Sequence, residues 1–175
     1  FATPLVIFVH SVVSWDFAMA NTPGWHTTIF PPYFVAGAIF SGLAMVITLC
    51  IPLRYIFKLE DYITMDNFDG MSKMIILTSS IVFYAYLIEV FIAWYSGNKY
   101  EYDQFIYRAV GDYALFYWIM MFCNGIVPHL LWFKKIRHNL MILFIITLLI
   151  NIGMWFERFN IIVISLSKEF EPGSW

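Results

Sequence analysis

Four ionisable side chains lie inside otherwise apolar runs of this sequence. Asp16 is near the end of the first run, Glu89 is in the third, and Glu157 and Arg158 are adjacent in the last. A charged side chain at membrane depth costs about 2.5–3.5 kcal/mol on insertion scales, so such residues are where function is expected. A carboxylate there either pairs with a cation or takes up a proton. The pattern therefore indicates either an ion-paired network that stabilises the helices or a proton-accepting relay.

The histidines do not have the arrangement of a haem or zinc protein. His10 is one and a half turns before Asp16, His26 follows in a loop, and His129 and His138 come later. Membrane cytochromes bind each haem with histidines from facing helices, and the expected depths of His10 and His129 disagree. Zinc spacings, phosphate loops and dinucleotide fingerprints do not occur, nor does a basic face for nucleic acid. The sequence thus predicts no metal site and no nucleic-acid partner.

Membrane-spanning helices must position these residues. Of the 175 residues, 61% are hydrophobic and 13% are charged, whereas soluble domains are about half apolar and a quarter charged. Since one span needs about 20 residues, the chain has room for about five spans and no separate soluble domain. We therefore predict an all-α integral membrane protein in which four of the helices form an antiparallel four-helix bundle. The predicted helices are 4–19, 33–57, 71–95, 111–133 and 139–167.

Basic residues predict the orientation of these helices. The connections after the second and fourth helices hold most of them, namely Arg54, Lys58, Lys73, Lys134, Lys135 and Arg137. Because Lys and Arg accumulate in cytoplasmic connections, the opposite ends should face the periplasm of a bacterial inner membrane. Tryptophan and tyrosine are concentrated toward those opposite ends, as in an interfacial belt. All four intramembrane ionisable residues then lie in the periplasmic half of the bilayer.

Small and polar residues within the runs predict how the helices pack. A small-residue face including Gly37 and Gly42 should allow another helix to approach the second one closely. Asn124-Gly125 with Pro128, and Asn151 with Gly153, predict kinks or interhelical hydrogen bonds in the last two helices. The segment 96–110 is rich in tyrosine and polar residues and is predicted to be a loop.

Two long segments resemble a known family. Residues 11–19 (SVVSWDFAM) and 23–38 (PGWHTTIFPPYFVAGA), followed by Ser41-Gly42, resemble the NrfD family of polysulfide-reductase-type membrane subunits. Within that family they are most similar to the ActC-type subunits of alternative complex III, a bacterial quinol-oxidising respiratory complex. The stretch 170–175 (FEPGSW) resembles the segment before the last helix of that family. The resemblance implies a subunit of about ten helices, of which this chain would supply the second half.

The resemblance also implies a function and a site. Family members bind quinol, either menaquinol or ubiquinol, near the periplasmic face and carry no haem or iron–sulfur cluster themselves. The aspartate of the family's Trp-Asp-Phe run corresponds to Asp16, which would bind the quinol and accept a proton. His26 would be a second, weaker quinol contact. Since quinol oxidation releases protons, a positioned acceptor is required, and Glu89, Glu157 and His10 would relay them with Arg158 as their charge partner.

The implied partners are those of a respiratory complex. They are an iron–sulfur subunit, a multihaem cytochrome c subunit, a second NrfD-type membrane subunit, lipids and, as an optional further partner, a terminal oxidase. An alternative is a proton-translocating or structural membrane subunit of the same kind of complex without its own quinol site. Polar residues lining a path across the whole membrane would favour that alternative.

Overall fold

The computed structural model describes residues 2–20, 22, 24–25 and 27–167, and within these ranges every regular element is a helix. Each run of apolar residues has become one long helix, as the prediction required. The helices are α1 (Ala2–Ala18), α2 (Phe30–Ile56), α3 (Met65–Tyr95), α4 (Lys99–Val110), α5 (Ala114–Trp132), α6 (Lys134–Arg137) and α7 (Leu140–Ser167).

Four of these helices, α2, α3, α5 and α7, are long and apolar enough to cross a membrane. They contain at least 19 residues each, in keeping with the roughly 20 residues needed to span the hydrocarbon core. Helix α1 is apolar but has 17 residues, so its place as a fifth span stays a prediction. By length and composition, the described part of the chain is therefore an integral membrane protein.

The four long helices surround a common apolar core. Contacts join α2 to α3, α3 to α5, α5 to α7 and α7 back to α2, while α1 lies against α2. Below, "the α4 end" is the end at which α1, α3 and α7 finish and α2 and α5 begin, and "the α6 end" is the opposite one. The α6 half of the core is mainly aliphatic around Phe40 and Leu143, and the α4 half is aromatic around Phe30, Tyr33 and Tyr117.

The small-residue face of α2 meets α7 at one of its two glycines. A Cβ atom on Gly37 would lie 3.6 Å from Met154 Cε and 4.0 Å from Glu157 Oε1, so α7 approaches closely there. A Cβ atom on Gly42 would meet nothing within 4 Å. Close packing is thus confirmed at Gly37, whereas Gly42 lies on an open part of the helix.

Helices α5 and α7 both depart from regular α-helical geometry. Helix α5 changes to a π-helical segment at Met121–Ile126 and to a 3₁₀ segment at Val127–Trp132. Since Pro128 has no backbone N–H and Asn124 lies in the π segment, the predicted distortion is confirmed. Helix α7 has a π segment at Asn160–Ile164. The predicted interhelical bond of Asn151 is also present, because its Nδ2 donates to Thr48 Oγ1 over 3.1 Å.

The segment predicted to be a loop at 96–110 is helical, and this prediction was wrong. Helix α4 begins after Asn98, whose Oδ1 accepts a hydrogen bond of 3.0 Å from the backbone N–H of Tyr100, as an N-cap residue does. Gln104 and Arg108 are buried four residues apart on its inner face, and Tyr100 and Val110 are exposed. Polar residues spaced at one helical turn were the overlooked signal.

Candidate functional site

Glu157 lies inside the bundle and is held by hydrogen bonds from two other helices. Its side chain is 2% exposed. Oε2 accepts a hydrogen bond of 2.5 Å from the Tyr86 hydroxyl of α3 and one of 3.1 Å from Asn124 Nδ2 of α5. Asn124 Nδ2 also lies 3.2 Å from the Tyr86 hydroxyl oxygen, so the three groups form one network. A buried carboxylate needs such partners because an unsatisfied polar group in an apolar interior is costly.

The π segment of α5 makes this network possible. It carries Asn124 next to Gly153 of α7, where a Cβ atom would collide with the Asn124 amide oxygen. Glycine therefore allows α5 and α7 to approach until the amide reaches Glu157. Asn124 and Gly153, which the sequence indicated as sources of kinks or interhelical bonds, are thus part of the site itself.

Arg158, which we predicted as the charge partner of the carboxylates, lies against an aromatic ring of α2. Its guanidinium carbon lies 5.1 Å from the centroid of the Phe34 ring, a cation–π arrangement. No salt bridge joins Arg158 to Glu89 or Asp16 in the ranges that the structure describes. Adjacent residues on an α-helix point about 100° apart, so Arg158 faces α2 while Glu157 faces the bundle interior.

The cation that pairs with Glu89 is Arg108 of α4. Its Nη1 lies 2.6 Å from Glu89 Oε1, and its Nη2 donates to Ser165 Oγ of α7 over 2.6 Å. The Arg108 side chain is buried, whereas that of Glu89 is 37% exposed. Arg108 therefore joins α3, α4 and α7 at the α4 end. Sequence reasoning missed it because we treated its segment as an interfacial loop.

Glu89 and Glu157, which we predicted to belong to one relay, line a common cavity. This cavity has a volume of about 20 Å³ and is walled also by Tyr33, Tyr86 and Arg108. A cavity of that volume holds about one water molecule when polar partners surround it. Hydroxyl, carboxylate and guanidinium groups all line it, so the cavity offers hydrogen-bonding partners to a single water molecule.

A wider cleft opens on the other side of Glu89. Its volume is about 180 Å³, and its walls are the segment before α2, the end of α3, and α4. The segment before α2 is fixed by two hydrogen bonds. The Gly24 N–H donates to Glu101 Oε2 over 2.9 Å, and Trp25 Nε1 donates to the Ile161 carbonyl oxygen in the π segment of α7 over 2.7 Å. Glu89 thus lies between the interior cavity and this cleft.

Gly24 allows the segment before α2 to pass close to Arg108. Its φ is +83°, and a Cβ atom there would lie 2.6 Å from Arg108 Nη2. We expect Gly24→Ala to lower the free energy of unfolding by roughly 1 kcal/mol, since the backbone is strained for alanine and Arg108 must move. Thermal unfolding of the purified protein measures this change. Gly42→Ala is the matched control and should not destabilise, because its Cβ meets nothing within 4 Å; equal unfolding midpoints would contradict the prediction.

Asp16 lies apart from the two glutamates. It is exposed in the last turn of α1, two residues beyond the buried Ser14, and its side chain makes no hydrogen bond or salt bridge with another described residue. Close to it in the chain, a pocket of about 310 Å³ is lined by Trp15, Ala18, Met19, Thr27, Thr28 and Pro31. Thr27 also lines the cleft beside Glu89. The α1 pocket and the cleft are therefore neighbours at the α4 end.

The two histidines of the predicted site contribute less. His10 Nδ1 lies 2.8 Å from the Val6 carbonyl oxygen of its own helix. Within the described ranges it shares neither a hydrogen bond nor a cavity with Glu89 or Glu157, so the structure does not bring it into their network. His26 lies outside the described residues.

Comparison with known protein families assigns the chain to one of them. The family described as "Polysulphide reductase, NrfD" matches residues 1–167, whereas the comparison with curated proteins gave no match. NrfD proteins are membrane subunits of redox enzyme complexes that interact with quinones. The match covers all the described helices, including those that carry Glu89, Arg108 and Glu157. The chain therefore belongs to the NrfD family.

Proposed function

We propose that this chain is a membrane subunit of a quinol-oxidising respiratory complex, most like the ActC subunit of alternative complex III. It binds quinol near the periplasmic face, passes the electrons to a docked iron–sulfur subunit, and takes up or relays the protons. The observation that supports this most is the position of Glu89, which lines both a small cavity shared with Glu157 and a wider cleft at the α4 end. Quinol oxidation releases protons, and a positioned acceptor is required to take them up.

The quinol ring binds in the pocket beside the end of α1. That pocket combines the apolar surfaces of Trp15 and Met19 with the hydroxyl-bearing Thr27 and Thr28, as expected for a site that binds a lipid-borne ring. Asp16 is on the same turn of α1 and accepts a proton from the ring hydroxyl. Its exposure leaves it accessible to a ligand or to helices of a longer subunit, of which this chain supplies roughly the second half.

The remaining subunits assemble around this end. The iron–sulfur subunit docks over the α4 end, and a multihaem cytochrome c subunit, a second NrfD-type subunit and a terminal oxidase complete the bacterial inner-membrane complex. Helix α4 exposes the apolar and aromatic residues Tyr100, Tyr102 and Ile106, which are common at protein interfaces and at the membrane surface. Electron transfer then requires no redox cofactor within this chain.

Replacing Asp16 by asparagine tests the quinol site. We expect quinol turnover of the purified complex to fall about tenfold, because the amide keeps the size of the side chain but cannot accept the proton. Turnover is measured with a soluble quinol and the complex's own electron acceptor. Asp66→Asn at the exposed start of α3 is the control and should leave turnover unchanged. An Asp16→Asn complex that assembles and turns over normally would exclude this role.

A second function, proton translocation without a quinol site, is favoured by polar contacts deeper in the bundle. Thr48 Oγ1 donates to Thr147 Oγ1 over 3.0 Å and accepts from Asn151 over 3.1 Å. Asn151 precedes Glu157 by six residues, or roughly 9 Å along the axis of α7. A continuous chain of water from the α6 end to Glu157 would favour this function, whereas access from the α4 end alone favours quinol oxidation.

A further inference from the structure

The cleft beneath α4 contains buried polar atoms without a partner. Gln104 is 1% exposed, and both its Oε1 and its Nε2 lack a hydrogen bond in the described structure. Nε of Arg108 is also buried and unpaired. Leaving such a group unsatisfied costs about 1–3 kcal/mol, and native proteins rarely tolerate several together. These atoms therefore indicate that another molecule supplies the missing hydrogen bonds.

The lining of the cleft limits the chemistry of that molecule. Gln104 offers one acceptor and one donor group, and the unpaired N–H of Arg108 requires an acceptor. Glu89 accepts from Arg108 at one oxygen and has capacity for a further donor. Ile92, Ala93 and Phe105 supply apolar walls on the same cleft. A matching ligand both donates and accepts hydrogen bonds and carries a flat apolar body.

The position of the cleft indicates that the ligand arrives through the lipid. Ile92 lines the cleft and is 40% exposed on the outside of α3. Phe91 and Tyr95, whose rings stack with centroids 5.5 Å apart, are exposed beside it. Exposed apolar residues on a spanning helix face lipid or another membrane helix. A water-soluble ligand has no need of such an entrance, whereas a ring attached to an isoprenoid tail does.

We propose that the cleft beneath α4 binds the hydroxylated ring of a quinol, with Gln104 and Glu89 as its hydrogen-bonding partners and Arg108 holding Glu89 in place. This inference rests on the proposed function and adds a second position for the ring, separated from the α1 pocket by Thr27. The volume of about 180 Å³ accommodates a substituted ring but not its tail, which extends past Ile92 into the lipid. Gln104 determines affinity, and it takes no proton.

The test is the substitution Gln104→Leu in the purified complex, assayed with a short-chain menaquinol analogue and a short-chain ubiquinol analogue. Leucine has nearly the same size but makes no hydrogen bond, so KM should rise roughly tenfold at little-changed kcat, the equivalent of one lost hydrogen bond. Ser72→Ala is the control. It also removes a buried, unpaired side-chain oxygen of the described structure, but near the α6 end of α3, and it should leave KM unchanged.

A second variant and a binding measurement make the outcome decisive. Ser96→Trp adds bulk at an exposed residue on the rim of the cleft, so it should raise KM even if Gln104→Leu fails to assemble. An unchanged KM in either assembled variant, in a complex that oxidises quinol, would overturn the cleft site alone. A wild-type complex that fails to oxidise quinol but binds a redox-inert quinol analogue in a Gln104-dependent manner would contradict the proposed function and retain the cleft.

Discussion

Replacing Glu157 by glutamine is expected to lower quinol turnover about a hundredfold in a complex that still assembles. Glutamine has the shape of glutamate, and its amide oxygen can accept the hydrogen bonds that Tyr86 and Asn124 donate to Glu157 Oε2. It cannot take up and release a proton, so the connection to Glu89 through the shared cavity is broken. Turnover with a soluble quinol, measured at equal amounts of assembled complex, reports this loss.

Two comparisons separate a relay from a purely structural role of Glu157. Glu157→Leu removes the acceptor for two buried donors and should prevent assembly, since each unsatisfied donor costs about 1–3 kcal/mol. Glu60→Gln changes an exposed carboxylate at the α6 end and should have no effect. If Glu157→Gln turned over at the wild-type rate, the network would serve only to hold α3, α5 and α7 together, and the relay would be excluded.

Replacing Arg108 by methionine is expected to lower the free energy of unfolding by about 2 kcal/mol. Methionine fills the volume of the aliphatic stem but loses the contacts of 2.6 Å to Glu89 and to Ser165. The expected value is below that for a fully buried pair, because Glu89 is 37% exposed and water can partly solvate it. Thermal unfolding in detergent and proteolysis within α4 should both detect the change.

A double-mutant cycle identifies the ion pair as the cause. Glu89→Gln alone and Arg108→Met alone should each destabilise, and the double variant should be less destabilised than the sum of the two. Arg108→Lys is the informative intermediate, since a lysine keeps the charge but cannot reach Glu89 and Ser165 with one planar group. Strictly additive effects would mean that Arg108 acts by filling space and not by pairing with Glu89.

The long helices and the depth of the glutamates could be predicted, because both follow from apolar runs of membrane length. The bounds of the four spans α2, α3, α5 and α7 lie within three residues of the predicted ones, except that α3 begins six residues earlier, at Met65. Glu89 and Glu157 were expected near the same end, and they share a cavity there. Asn124 and Gly153 were recognised as irregular, although their spacing along the chain contains no information on which side chain they would meet.

The cation that pairs with Glu89 could not be predicted from the depth of the ionisable residues in the membrane. Arg158 was the expected charge partner, but its guanidinium lies over the Phe34 ring, and the salt bridge of Glu89 is made by Arg108. Arg108 lies in the tyrosine-rich segment that forms α4. Gln104 and Arg108 are spaced one helical turn apart, but this spacing indicates a helix only if the polar side of α4 faces the bundle interior. Whether Asp16 binds quinol stays a prediction, since Asp16 is exposed and lines neither of the cavities beside Glu89.

The inward polar face of α4 has a consequence for how the protein is made. Arg108 obtains its partners from α3, which precedes it in the chain, and from Ser165 near the end of α7, which follows it in the chain. Until α7 is inserted, Arg108 lacks one of these partners, and a buried polar group without a partner is costly in the apolar interior. We therefore expect α4 to dock against the other helices only after α7 is in place.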